Sequence, residues 1–229
     1  DGDLVQQYYA YNERDEASYL VEQIKIHTNK GGNRSDNAVL YRSNAQSRAI
    51  EEALLQANMP YRVYGGLRFF ERAEIKDVLA YLRLIANRND DAAFERVVNT
   101  PTRGIGAATL TQLRQYAREQ NKTLWQSASV LIKEKFFAAR ANNALTSFLT
   151  LIDSLTPEQE IPLHELTSLA TDESGLRDHH SKDKTEKGQG RIENLDELIS
   201  ATKQFNQPED AENMSLLDAF LSHAALEAG

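Results

Sequence analysis

At 229 residues and 25.8 kDa, with 41% hydrophobic and 26% charged side chains, the chain has the make-up of one large folded domain or two small ones. It holds no cysteine, which excludes disulfides, zinc–thiolate centres and cysteine nucleophiles and fits a cytoplasmic protein. The formal charge of 26 − 34 = −8 excludes a globally basic nucleic-acid binder, and no apolar run or signal-type N-terminus points to a membrane.

The first third reads as alternating strand and helix. Residues 4–11, rich in Val and Tyr, form a candidate strand. A helix follows over 13–29, with Asn12 as N-cap, Glu13, Asp15 and Glu16 in its first turn and Gly31-Gly32 beyond its end. Residues 38–41 are a second candidate strand and 46–58 a second helix with Ala49, Ile50, Ala53, Leu54 and Ala57 on one side. Pro60 breaks that helix, and 61–64 read as a third strand ending at Gly65-Gly66. Strand, helix, strand, helix, strand suggests a parallel α/β layer. Three strands are too few for a stable doubly wound sheet, so this half looks incomplete.

From residue 73 the pattern is helical. Ile75, Val78, Leu79, Leu82 and Ile85 make an apolar stripe on a helix over 74–88, read as the joint between the α/β part and an all-helical remainder. Further helices are expected at 91–98, 107–119, 124–132, 135–154, 162–174, 191–205 and 216–228, with 179–190 a polar loop or frayed helix. A second break is expected at 206–213, around Pro208, and no internal repeat occurs. The fold class is α/β plus all-α, mostly α in total.

Charge is unevenly spread. Residues 61–118 carry 10 basic and 6 acidic side chains, a net of +4, whereas 192–229 carry 1 and 8, a net of −7. Nine of the ten basic residues in the first window are arginines, whose planar fork suits phosphate. The same count also suits a solvated face laced with intrahelical ion pairs.

Three segments could carry function. In 97–106 a helix ends, a short loop carries Pro101 and Arg103, and Gly104-Ile105-Gly106 opens the next helix. Glycines admit close approach of a partner, and helix-start N–H groups attract anions. The arrangement resembles a helix-hairpin-helix, which grips a DNA phosphate backbone without reading bases. A plain interhelical turn is the alternative. The second segment is Tyr41-Arg42-Ser43-Asn44, at the carboxyl end of a predicted strand, where Arg42 and Asn44 could meet a phosphate or a base. Taken alone, the segment is better explained as a loop capped by Ser43 or Asn44. The third is 64–72, where Arg68 and Arg72 interleave with Phe69 and Phe70, a pattern suited to single strands or to a buried aromatic pair. His179-His180 has no metal-ligand spacing, and Asp90-Asp91 and Asp172-Glu173 suit capping rather than catalysis. No metal site and no catalytic residue is expected.

Taken in order, 38–48, 61–77 and 99–106, followed by Gly188-Gln189-Gly190-Arg191-Ile192-Glu193-Asn194-Leu195 and 220–227, closely resemble the superfamily 1A DNA helicases of the UvrD, Rep and PcrA group, most strongly its UvrD branch. The resemblance runs through essentially the whole chain. It implies that 1–87 are the first half of the RecA-like domain 2A and 88–229 the helical domain 2B. It implies single-stranded DNA contact through Arg42 and Asn44, and a duplex grip through Thr102, Arg103, Gly104, Ile105 and Gly106. Arg68 and Arg72 join the DNA-binding set on charge.

The parent of such a segment would be an ATP-dependent 3′–5′ helicase of DNA repair using ATP and Mg2+. This chain has no Gly-x-x-x-x-Gly-Lys-Ser/Thr loop, so no cofactor is expected in it and no ATP hydrolysis by it alone. Family 2B domains are also credited with contacts to repair proteins. The rival reading is accordingly a regulatory interaction module that docks a protein partner on acidic 192–229 and binds no DNA of its own.

Overall fold

The computed structural model describes residues 4–64, 66–156, 161–208 and 211–228. The chain is 67% helical. It forms two compact units, residues 1–69 and 70–229.

In the first unit, α1 (Glu13–Asn29) packs on α2 (Ser47–Gln56). Asn12 caps α1 by accepting from the Asp15 N–H at 2.9 Å, as its position ahead of three acids predicts. Val21, Leu54 and Met59 form the buried core of this unit, with Ile24, Ile50 and Tyr61 packed against it. Gln46 folds back on the preceding loop, its Oε1 accepting from the N–H groups of Arg42 and Ser43 at 3.0 Å each. The expected strands at 4–11, 38–41 and 61–64 carry no strand ladder, and no strand occurs among the described residues. The reason is partnership: an extended segment becomes a strand only when a neighbour takes its N–H and C=O groups. Leu4, Val5, Leu40 and Tyr64 stand more than 80% exposed. The apolar pattern of a sheet is present without the pairing.

The second unit is all-helical: α3 (Ala73–Ala86), α4 (Asp91–Val97), α5 (Ala107–Glu119), α6 (Leu124–Lys133), α7 (Ala139–Ser154), α8 (Leu163–Glu173), α9 (Leu176–Ser181), α10 (Glu186–Gln204) and α11 (Leu216–Ala228). Helix α3 lies at the centre of this unit. Besides the expected stripe, Ala80, Tyr81 and Leu84 are buried, and α4, α7, α8, α10 and α11 all pack on it. Burial on nearly every face is what a helix with so few polar residues requires. Phe94 of α4 meets Phe148 of α7 and Trp125 of α6 edge-on, with ring centroids at 5.5 and 6.5 Å. No helix among the described residues is long and apolar enough to cross a membrane.

Two boundaries differ from expectation. Helix α7 starts at Ala139 because Lys135 takes a left-handed φ of 52° and ends the preceding turn. The polar stretch 179–190 is largely helical. Thr185 caps α10 through Gly188, which is buried and packed so closely on the Asp183 carbonyl that a Cβ would not fit.

Candidate nucleic-acid interface

The turn between α4 and α5 is assembled from its own polar groups. Asp90 caps α4 by accepting from Ala93 N–H at 2.9 Å, while Asp91 accepts from Leu124 N–H at the start of α6 at 2.8 Å. Both acids therefore act at helix starts. Beyond α4 the backbone passes a cis Thr100–Pro101 bond and doubles back. The Asn99 Oδ1 holds the loop from inside, accepting from Arg103 N–H at 2.7 Å and Ile105 N–H at 3.3 Å. Ile105 is 1% exposed and anchors the turn in the core.

On either side of that anchor the backbone is open. Thr102, Gly104 and Gly106 are exposed. Gly104 sits at φ +85°, a region costly for other residues, and nothing lies within 4 Å of the place a Gly106 Cβ would occupy. Gly106 is the N-cap of α5 and offers no side chain to its first turn. The starting N–H groups, with their partial positive charge, are thus left without a side-chain cap.

Arg103 behaves differently from its neighbours. Its guanidinium donates to the carbonyls of Val97, Pro101 and Ser174 at 3.1, 3.0 and 2.8 Å, and to the Tyr81 hydroxyl at 2.7 Å. It also lies over the rings of Tyr81 and Phe148 at 5.8 and 5.6 Å. Tyr81 donates in turn to the Thr100 carbonyl at 2.6 Å. Arg103 is a strut that ties the turn to α3 and to the α8–α9 junction.

Arg72 is likewise turned inward. It is 7% exposed and donates to Asn194 Oδ1 at 2.8 Å, and Asn194 donates to Glu74 Oε1 at 2.6 Å. Expected on charge to meet DNA, it is a framework residue joining the start of α3 to α10. Much of the arginine-rich window is spent in the same way: Arg96 pairs with Asp77 at 2.9 Å, Arg114 with Glu95 at 2.6 Å, and Arg88 reaches Asp153 and the Ile152 carbonyl. Exposed Lys76, Arg83 and Arg118 make no ion pair among the described residues of this unit.

In the first unit, Arg42 and Asn44 are exposed on the loop that Gln46 braces. Arg68 is half-buried with its guanidinium 5.6 Å from the Tyr61 ring centre. Nearby, Glu51 ties α2 to the following segment, accepting from Ser47 and Tyr61 hydroxyls at 2.6 and 3.1 Å and from Phe69 N–H at 3.4 Å. Phe70, in the second unit, packs in the core against Phe220.

An open glycine turn carried by an internally bonded arginine strut, in the sequence Asn99-Thr100-Pro101-Thr102-Arg103-Gly104-Ile105-Gly106, is the feature by which relatives can be judged. The family model of the UvrD-like helicase C-terminal domain matches residues 1–229. The chain belongs to that family. It is 59% identical over its whole length to DNA helicase II of Escherichia coli K12 and 58% identical to DNA helicase II of Salmonella typhimurium, covering 32% of each. It is 38% identical to the ATP-dependent DNA helicase PcrA of Staphylococcus epidermidis, with 99% of the chain and 31% of that protein aligned. The chain thus spans about a third of the length of these UvrD-like relatives.

The sequence reading missed Arg140, in the first turn of α7. Its guanidinium atoms lie 3.5 to 3.9 Å from where a Gly104 Cβ would stand. A signal for it does exist in the sequence. In a chain with 34 acidic residues, neither 100–118 nor 135–152 contains a single Asp or Glu.

Proposed function

We propose that this chain is the DNA-gripping segment of an ATP-dependent 3′–5′ DNA helicase acting in DNA repair in the cytoplasm. The single observation that carries the reading is the turn 102–106, with exposed Gly104 and Gly106 backbone on a buried Ile105 anchor. Such a surface admits a phosphate closely and carries no base-reading side chain. Kinship with proteins named DNA helicase II and ATP-dependent DNA helicase PcrA supports DNA as partner.

In this reading 1–87 belong to the RecA-like domain 2A and 88–229 to the helical domain 2B, a division by chain order. Residues 4–11, 38–41 and 61–64 would be strands of a sheet completed by other parts of the longer protein. Arg42 and Asn44, exposed on a braced loop, would meet single-stranded DNA, with Arg68 beside them on charge. Thr102, Gly104 and Gly106 would hold the duplex; Ile105, expected beside them, is buried and anchors the turn instead, and Arg103 acts through the shape of the turn. Nucleotide-driven motion belongs to the rest of the parent enzyme. In this reading ATP and Mg2+ would be held by the rest of the parent enzyme, since the residues here carry no Gly-x-x-x-x-Gly-Lys-Ser/Thr loop.

The test is an anisotropy titration of the chain with a duplex bearing a 3′ single-stranded tail, at two salt concentrations. Affinity that falls as salt rises, and falls again in Gly104→Asp with helicity unchanged, supports the reading. Salt-independent or absent binding, with capture of repair proteins through 192–229, would favour the interaction-module alternative.

A further inference from the structure

Arg103 is the cation that sequence order places beside the glycine turn, yet its two terminal guanidinium nitrogens donate to three carbonyls and a phenol inside the fold. A phosphate at the turn needs another counter-charge. Arg140 is exposed, belongs to a different helix, and holds its guanidinium against the open side of Gly104. No carboxylate competes for it. Positions three and four residues away on either side are Phe136, Phe137, Asn143 and Ala144, and Arg140 makes no ion pair among the described residues. The two acid-free runs, 100–118 and 135–152, meet here in a chain of net charge −8.

We infer that Arg140 is the phosphate-contacting cation of the glycine turn, donating its planar fork to a backbone phosphate of duplex DNA that Gly104 allows to approach. Arg103 is the positioning residue that holds the turn in shape. The assignment rests on the duplex-grip reading above. It further states that the charged contact comes from α7, about 36 positions along the chain from the glycine it serves (140 − 104).

The experiment measures binding of the chain to a fluorescein-labelled blunt duplex between about 50 and 200 mM salt. Wild type, Arg140→Ala, Arg140→Lys and Gly104→Asp are compared, with the thermal midpoint of each recorded. Arg140→Ala should keep the wild-type midpoint, bind about fivefold to tenfold more weakly at low salt, and show a slope of log K against log salt shallower by about 0.9. Arg140→Lys should recover the slope and only part of the affinity, because a point charge replaces a fork. If Gly104→Asp loses affinity while Arg140→Ala matches wild type in affinity and slope, the Arg140 assignment is overturned and the duplex grip stands. If wild type itself does not bind the duplex at low salt, both fall.

Discussion

The guanidinium of Arg103 and the hydroxyl of Tyr81 are 2.7 Å apart, and through that bond the α4–α5 turn is fastened to the central helix of its unit. Tyr81 is fully buried and its hydroxyl donates a hydrogen bond to the Thr100 carbonyl. Removing the hydroxyl in Tyr81→Phe leaves one carbonyl and one charged donor short of a partner. The expected loss is about 1–3 kcal/mol of stability. A double-mutant cycle with Arg103→Ala should return a coupling of about 0.5–3 kcal/mol by urea denaturation. Strict additivity would show that the two side chains do not act together.

Tyr81 also sets an alkaline limit. Burial pushes its hydroxyl up to about 12, against the smaller opposite pull of the Arg103 charge. In the unfolded chain it ionises near 10. Above pH 10 the unfolded state sheds this proton while the folded state retains it, so stability is full below that pH and declines as pH rises towards 12. The slope approaches about 1.4 kcal/mol per pH unit. Urea midpoints at pH 9 and 11 should drop more in wild type than in Tyr81→Phe; parallel drops would refute the assignment.

The turn separates its structural residue from its contact residue. Ile105→Ala empties a site that is 1% exposed and should cost about 2–4 kcal/mol in the denaturation midpoint. Gly104→Ala meets ordinary contact distances around its new methyl but must hold φ at +85°, a penalty of about 1–2 kcal/mol. Gly106→Ala, at φ −82° in open space, should leave stability within about 0.5 kcal/mol of wild type. A large loss in the Gly106 variant would mean that its backbone is constrained in some other way.

Much of this was legible in the sequence, because helices announce themselves locally. Asn12 and Thr123 cap α1 and α6 from within their own segments, and the 3.6-residue spacing of Ile75, Val78, Leu79 and Leu82 defines α3. What was not legible depended on contacts distant in sequence. That Arg72 points at Asn194, 122 residues away, and Arg103 at Ser174, 71 away, cannot be read from charge runs, which treat every arginine as solvent-facing. Arg140 was hidden differently: it is exposed, but only the fold brings the start of α7 against Gly104. Strands failed for the converse reason: 4–11 and 61–64 have the right residues, but pairing is supplied by a neighbour and not by the segment itself.

The bridge from Arg72 through Asn194 to Glu74 is buried at every member. Asn194→Leu keeps the volume but removes one hydrogen bond from each of its two charged partners. Each charge loses one hydrogen bond in a buried site, so a loss of about 1–3 kcal/mol is expected. Asn194→Asp, which can still accept from Arg72 but faces Glu74 with a like charge, should be destabilising at neutral pH and recover partly on mild acidification. A Leu variant as stable as wild type in thermal melts would show the bridge to be dispensable.

His180 provides the acid-side counterpart. It is 7% exposed, its Nε2 has no hydrogen-bond partner among the described residues, and its ring lies 5.1 Å from that of His179. Burial lowers its proton affinity below the usual histidine value, and the charges of Arg191 and His179 lower it further, against the weaker upward pull of Glu74 and Asp183. In the unfolded chain the ring is protonated below about 6.5, whereas the folded state resists the proton. Stability from this group is therefore present above that pH and is lost as pH falls below it. His180→Phe occupies the same space with no titratable group, and no bond from Nε2 is lost. Melting curves at pH 8 and pH 5 should show a smaller acid-side drop in the variant than in wild type. Equal drops would assign acid sensitivity to the surface carboxylates instead.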